Sequence, residues 1–339
     1  MTSTFIQKLG AKVIDFSSFS NLKIGHSQDP IHGTGCTVLI SEMGMPAGIS
    51  IRGGGPASRE TALLSPMAAA DKIHAILLSG GSAYGLEASS GVMEYLEEKG
   101  IGFETTFSKV PLVCQSCIYD LGFKSSNVRP SKQLGYLACE DAFSSDTSKT
   151  KIGSIGAGTG ATVGKMLGHD FMMKAGIGSY AIQLGDLQIG AIVVVNALGD
   201  VYDIDTNEKI AGAYNRKTHE FIDGEVAFCK NLQSPSIDNL FTTNTTIGAV
   251  ITNAAFHKTD LQRIAFSAHN GLARTIRPIH TSADGDSIYA VSIGTVSANL
   301  DLVSTLSSYV VGKAINEAIY HSECLDHVPS YLSIFKYQC

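Results

Sequence analysis

Apolar residues along this chain come in short runs separated by polar breaks: Thr37–Ile40, Ala75–Leu78, Ile189–Val195, Ile247–Thr252 and Ser287–Ile293. Each run ends near Gly, Asn, Asp or Ser, as strand ends do, and predicts a β-strand. Between them the spacing changes. Leu86 to Lys99 carries Val92, Tyr95 and Leu96 at helical intervals and meets Gly100, a helix stop. Thr259 and Asp260 predict a cap for a helix through Leu261, Ile264, Ala265 and Ala268 towards Arg274. A third helix is predicted over Ser304–His321. Grouped helices and runs of strands, without strict alternation, predict an α+β fold with helices packed on layered sheets. Two polar stretches, 140–151 and 231–244 with Pro235 inside it, predict surface loops.

Composition narrows the class. With 339 residues and 44% hydrophobic positions, the chain can bury a large core. The 35 glycines cluster rather than repeat, which predicts tight turns and close backbone packing. A net charge of −6 with no basic stripe argues against a nucleic-acid partner. No apolar stretch is long enough for a membrane span, and the N-terminus lacks a signal-peptide pattern. Seven scattered cysteines suit reduced thiols better than a disulfide framework, so the expectation is a cytoplasmic protein.

Three motifs invite chemistry and fall short of it. Gly156 to Lys165 has the look of a nucleotide loop. Thr159 stands where a phosphate loop needs its first Gly, Met166 where it needs Ser or Thr, and the G-x-G-x-x-G spacing fails too. The plainer expectation is a flexible stretch that lets backbones approach between layers. Cys114-Gln-Ser-Cys117 has redox or zinc spacing but no second pair, and it follows the strand-like Val110–Val113, so buried core thiols are expected. His321 to His327 is rich in ligand atoms at a helix end, where solvated side chains are the ordinary outcome. No metal or organic cofactor is expected.

Asn244-Thr245-Thr246 leads straight into Ile247–Ile251. By itself this is how many strands begin, since Thr favours strands. A threonine that begins its own chain is different, because its α-amine titrates at about 7.7–8.0 and can take the hydroxyl proton near neutral pH. The same hydroxyl can free that amine by attacking the carbonyl of Asn244, an N-to-O acyl shift followed by hydrolysis. Period-two alternation puts Thr245 on the strand face of Ile247, Ala249 and Ile251.

Several further segments accompany that junction. They are Gly33–Ile40, Arg52-Gly-Gly-Gly-Pro56, Leu78–Glu87, Ile118-Tyr-Asp120, Gly153–Lys165, Val193–Asn196 and Asp284-Gly-Asp286. Together and in this order they resemble the self-processing N-terminal-nucleophile hydrolases of the DmpA type. That family includes L-aminopeptidase/D-esterases, β-peptidyl aminopeptidases and the endo-type 6-aminohexanoate (nylon) oligomer hydrolases. The Asn-Thr-Thr and Asp-Gly-Asp details resemble the nylon-oligomer branch; the aminopeptidase branch often has Ser at the nucleophile.

The resemblance implies an α-β-β-α sandwich of the DmpA/ornithine acetyltransferase type. It implies one domain over 1–339, cut between Asn244 and Thr245 into 1–244 and 245–339, and a homotetramer of such pairs. Thr245 matches the nucleophile, and Asn196 matches an active-site asparagine whose amide donates to the oxyanion. Lys165 and Tyr119 match groups near the threonine, and Asp284 and Asp286 match an acidic pair that orients the terminal ammonium. The implied substrates are short peptides, amino-acid amides or linear 6-aminohexanoate oligomers. Alternative readings are an aminopeptidase or esterase with free-amine specificity, an ornithine-acetyltransferase-like acyltransferase, and an unprocessed metabolite-binding scaffold.

Overall fold

A computed structural model describes residues 5–144, 150–231 and 244–336. In chain order the sheet strands are β1 (Lys12–Ile14), β2 (Lys23–Asp29), β3 (Thr34–Met45), β4 (Ala47–Arg52), β5 (Ala57–Arg59) and β6 (Ile73–Ser79). They continue with β7 (Val113–Cys117), β8 (Ile177–Leu184), β9 (Leu187–Asn196), β10 (Thr245–Ala254) and β11 (Asp286–Val296). The helices that cover them are α1 (Ala88–Glu98), α2 (Lys132–Phe143), α3 (Lys258–Thr275) and α4 (Leu300–Tyr320).

One sheet runs β1-β8-β9-β10-β11-β4 and the other β2-β3-β6-β7-β5. Both are antiparallel except for one pair each, β10 with β11 and β6 with β7. A parallel pair needs a crossover, and a helix is its usual form. Here α3 makes the crossover from β10 to β11 and α1 the one from β6 to β7. The next helix in sequence then packs beside it: α4 on α3 and α2 on α1.

Alternation along the strands sorts side chains onto two faces. Val193, Val195, Val250 and Ile288 pack with Leu261, Ile264, Leu272, Val310 and Ile315 of α3 and α4. Ile192, Val194, Ile247, Ala249 and Ile251 face the other way and meet Leu39, Ile76 and Leu78 of the second sheet. Val38, Ile40, Ala75 and Leu77 then meet Val92, Leu96, Ala138 and Ala142 of α1 and α2. Three apolar layers thus separate a helix pair, two sheets and a second helix pair. The Tyr289 hydroxyl reaches Ser116 Oγ at 2.9 Å, which satisfies its one polar atom within the inter-sheet core.

All five predicted strands and three predicted helices are present, the first helix entered through a 3₁₀ turn at Ser82–Glu87. Three expectations need correction. Glu140–Phe143, read as part of a loop, forms the last turn of α2, and 145–149 lie outside the described residues. Cys324 is disulfide-bonded, so the set of cysteines is not uniformly reduced, although Cys36, Cys114, Cys117, Cys139 and Cys229 are free. Gly156–Met166 is buried throughout, so its glycines serve close approach rather than flexibility. Of the loop expected over 231–244, 232–243 lie outside the described residues, Asn231 ends a helix over Gly224–Asn231, and Asn244 forms a β-bridge with Asp284. Cys114 and Cys117 are buried in β7, as expected, and burial pushes both thiols up to about 12. No described helix is long and apolar enough to cross a membrane.

Candidate active site

The first residue of β10 meets its neighbours at one end of the six-stranded sheet. Thr245 stands directly opposite Asn196, the last residue of antiparallel β9. On the other side, Asn244 bridges to Asp284 just before parallel β11 begins. Strand register alone therefore gathers Thr245, Asn196, Asp284 and Asp286. The Thr245 side chain lies on the inter-sheet face, as the alternation of Ile247, Ala249 and Ile251 predicts.

The peptide on each side of Thr245 is held by the acidic turn. Gly285 N–H donates to the carbonyl of Asn244 at 3.1 Å, and Thr246 N–H donates to Asp286 Oδ1 at 2.7 Å. Thr245 Oγ1 lies in close contact with that same Asn244 carbonyl oxygen. A Cβ at position 285 would stand 3.1 Å from Thr245 Oγ1 and 2.7 Å from the carbonyl oxygen of Gly55. Glycine is what lets the turn approach both. The Arg52–Pro56 segment lies behind it, with Gly55 N–H donating to the Asp284 carbonyl at 3.0 Å.

Asn196 is oriented by four bonds. Its Oδ1 accepts from Lys165 Nζ at 2.9 Å and from Thr162 N–H at 3.1 Å, while its Nδ2 donates to the carbonyl of Tyr119 at 2.8 Å. Lys165 Nζ also donates to the Asn196 carbonyl at 3.1 Å. Two donors on Oδ1 fix the amide's orientation. One Nδ2 hydrogen is thereby committed to Tyr119, and the other is the one that can face an oxyanion. Tyr119 enters by its backbone; its half-buried phenol makes no hydrogen bond among the described residues.

Electrostatics follow burial. Lys165 is 7% exposed. Desolvation pulls its pKa down to about 7 against the opposing charges of Asp284 and Asp120. Asp284 and Asp286 are fully buried, and both are raised above the usual carboxylate range. For Asp284, burial is the main cause and the charge of Asp286 adds to it; for Asp286, burial is opposed by His280. Two carboxylates this close share protons as a pair. Their surroundings differ: Asp284 Oδ2 accepts from Thr281 N–H and Oγ1, both at 2.7 Å, while Oδ1 has no partner among the described residues.

All six residues expected at the site converge, with Tyr119 contributing its carbonyl. Sequence reasoning missed His280, Thr281 and His269. His280 and Thr281 lie just before Asp284, and a histidine so near an acidic pair was the available signal. His269 carried none; it arrives from α3. Among the described residues no cluster of three or more His, Cys, Asp or Glu side chains is arranged to hold a metal ion.

Comparison with known proteins identifies relatives along most of the chain. The model for Peptidase family S58 matches residues 19–326. An uncharacterized aminopeptidase of Mycobacterium leprae is 32% identical, with 96% of each chain covered. A 6-aminohexanoate-oligomer endohydrolase of Agromyces sp. is 31% identical over 92% of this chain and 88% of its own. Among solved structures, a Burkholderia sp. β-aminopeptidase superposes with a TM-score of 0.68 at 16% identity, covering 97% of this chain and 96% of the other. An L-aminopeptidase D-Ala-esterase/amidase from Ochrobactrum anthropi, described as a variant of the Ntn hydrolase fold, also gives 0.68, at 15% identity over 91% and 86% of the two chains. These two likenesses show the fold.

Proposed function

The chain belongs to peptidase family S58 and is a peptide-bond hydrolase, and from that premise we propose that it works through an acyl-enzyme on Thr245. The observation that carries the reading is the convergence on one residue. Thr245 faces Asn196 across the strand pair, and the acidic turn holds the peptides before and after it.

In this reading the chain first cuts itself between Asn244 and Thr245. The Thr245 oxygen attacks the Asn244 carbonyl carbon, and Gly285 N–H, already donating to that carbonyl oxygen at 3.1 Å, stabilises the negative charge that develops on it. The acyl group passes from nitrogen to oxygen, and water releases it as the carboxylate of Asn244. Pieces 1–244 and 245–339 stay together because β10 lies between β9 of the first piece and β11 of the second.

The freed amine then serves as base for its own hydroxyl. The substrate's amide carbon accepts Thr245 Oγ1, Asn196 Nδ2 donates to the oxyanion, and Lys165 keeps Asn196 aimed. The amine of the broken amide leaves with the proton, and water hydrolyses the ester. Asp284 and Asp286 hold the ammonium form of the terminal amine near its hydroxyl, and Tyr119 closes the side of the cleft at Asn196.

We assign the layered packing to the α-β-β-α sandwich of the DmpA/ornithine acetyltransferase type, and the assembly to a homotetramer of processed pairs in the cytoplasm. Substrates are short peptides, amino-acid amides or linear 6-aminohexanoate oligomers. Relatives named as aminopeptidases and as an oligomer endohydrolase support that range. On a denaturing gel the active protein should give two bands, about 26 and about 10 kDa by proportion of its 35.8 kDa. Thr245→Ala should give one band and lose roughly a thousandfold or more in kcat. A single intact chain with full activity would overturn the reading.

A further inference from the structure

The polar atoms that lack partners are concentrated behind Thr245. Asn244 Oδ1 and Nδ2, Thr246 Oγ1, Asp284 Oδ1, His280 Nε2 and His269 Nδ1 are all buried and unpaired among the described residues. Buried polar atoms are ordinarily satisfied, so such a concentration marks a place arranged for something other than stability. Two of these atoms belong to histidines that the proposed mechanism does not use.

His280 is built to hold Asp286. Its Nδ1 lies 2.8 Å from Asp286 Oδ2, and its backbone N–H reaches the same oxygen at 3.3 Å. The residue adopts φ 59°, a left-handed conformation that is uncommon outside glycine and turns both donors onto one oxygen. Behind it the His269 ring stands edge-on at 4.8 Å between centroids. His269 Nε2 lies 2.9 Å from the carbonyl of Ser50, an acceptor only, so that nitrogen carries the proton. Burial holds His269 neutral, with its pKa lowered to about 3. A neutral ring thus packs against His280.

We propose that His280 is a positioning residue for the reaction at Thr245, acting through Asp286. The proposal rests on Thr245 being the nucleophile and separates the roles of the two carboxylates. Asp286 accepts from Thr246 N–H on one oxygen and from His280 twice on the other, so it is the anchor that sets the start of β10. Asp284 keeps Oδ1 open and is the carboxylate that meets the threonine's ammonium. The titratable and charged groups that face this network are Asp286, Asp284, His269, Arg52 and, through Asp284, Lys165.

Two substitutions of similar size test it. Asn suits the left-handed backbone and places an amide N–H where Nδ1 stands, whereas Gln carries its amide one bond further. His280→Asn is expected to keep kcat within a few-fold of the parent, and His280→Gln to lose roughly 10- to 100-fold in kcat with KM nearly unchanged, as for a lost hydrogen bond to a charged group. Losing the donor disfavours ionised Asp286, so the acidic limb of the kcat–pH profile should move to higher pH in the Gln variant and stay in place in the Asn variant. Conversion of one gel band to two should slow in the same order. Equal kcat and equal acidic limbs in both variants would overturn the role of His280, as would equal losses accompanied only by a fall in Tm. Thr245→Ala, run alongside, separates the failures: if it stays active, the nucleophile reading falls and this proposal with it; if it is dead while both His280 variants match the parent, only the His280 role falls.

Discussion

Lys165 and Lys174 are both buried, and both have pKa values lowered to about 7 by desolvation. Judged by pKa alone they are the same residue. Their partners separate them. Lys174 Nζ donates to the carbonyls of Gly158, Ala161 and Ala175 at 3.1, 2.9 and 2.7 Å, all within the segment that carries it. Lys165 Nζ donates to Asn196 Oδ1 and to its carbonyl, opposite Thr245. A perturbed pKa therefore reports burial, and only the identity of the bonded groups says whether the burial serves a reaction.

Mutating each lysine to methionine sharpens the contrast. Lys165→Met should lower kcat roughly 100- to 1,000-fold, as for a lost oxyanion-site support, with a small change in Tm. Lys174→Met should do the reverse. The carbonyls of Gly158 and Ala161 keep backbone donors from Ala161 and Ala175, so the expected loss is about 1–3 kcal/mol in chemical denaturation, with kcat within a few-fold of the parent. If the two variants fell together in both activity and stability, the distinction between the lysines would be gone.

A weaker effect tests the shared cause. A lysine titrating near 7 when folded and near 10.4 when unfolded leaves the unfolded chain with more bound protons between those values, so stability rises with pH in that window. The penalty for charging the buried amine is complete below pH 7. The stability gap between the parent and Lys174→Met should therefore widen from pH 7 upward, by up to about 1.4 kcal/mol per pH unit. Taking the difference removes the opposing slope from the buried cysteines, whose raised pKa values act at higher pH. A gap that narrows with rising pH would contradict the assignment.

The smallest effect concerns Asp120, whose charge opposes desolvation at both lysines. Asp120 accepts from Thr34 Oγ1 on Oδ2 and from Gly81 N–H on Oδ1, at 2.7 Å each; in an asparagine the amide oxygen keeps the Gly81 bond and the NH2 donates to the Thr34 hydroxyl, which can accept as well as donate. Asp120→Asn should move both lysine titrations to lower pH by a fraction of a unit, followed by NMR of Cε-labelled lysine. Movement of only one would mean the two do not share a field.

Much of the site was legible because its pieces are local and together resemble a known family, although each alone reads as an ordinary strand start, strand end or turn. Asn-Thr-Thr before an apolar run, Asn at a strand end and two aspartates around a glycine are each visible within a few residues. Helix α2 was not. Its buried positions are Gly135, Ala138, Cys139 and Ala142, too small to write a strong apolar stripe, because the helix lies close against β2: a Cβ at Gly25 would fall 2.1 Å from the Ala138 carbonyl oxygen. Lys174 was passed over for a related reason. Nothing in a sequence distinguishes a lysine in solvent from one enclosed by three carbonyls.

The chain's own order of apolar and polar residues decided which strands form, which way each side chain points and that Thr245 shares a face with an apolar core. These follow from the two-residue repeat of an extended backbone, a property of neighbours. Which groups share protons was decided only when the sheets closed. Thr246 meets Asp286 across 40 positions, and Asn196 meets Lys165 across 31, and desolvation and Coulomb energies depend on such distances in space rather than on spacing along the chain.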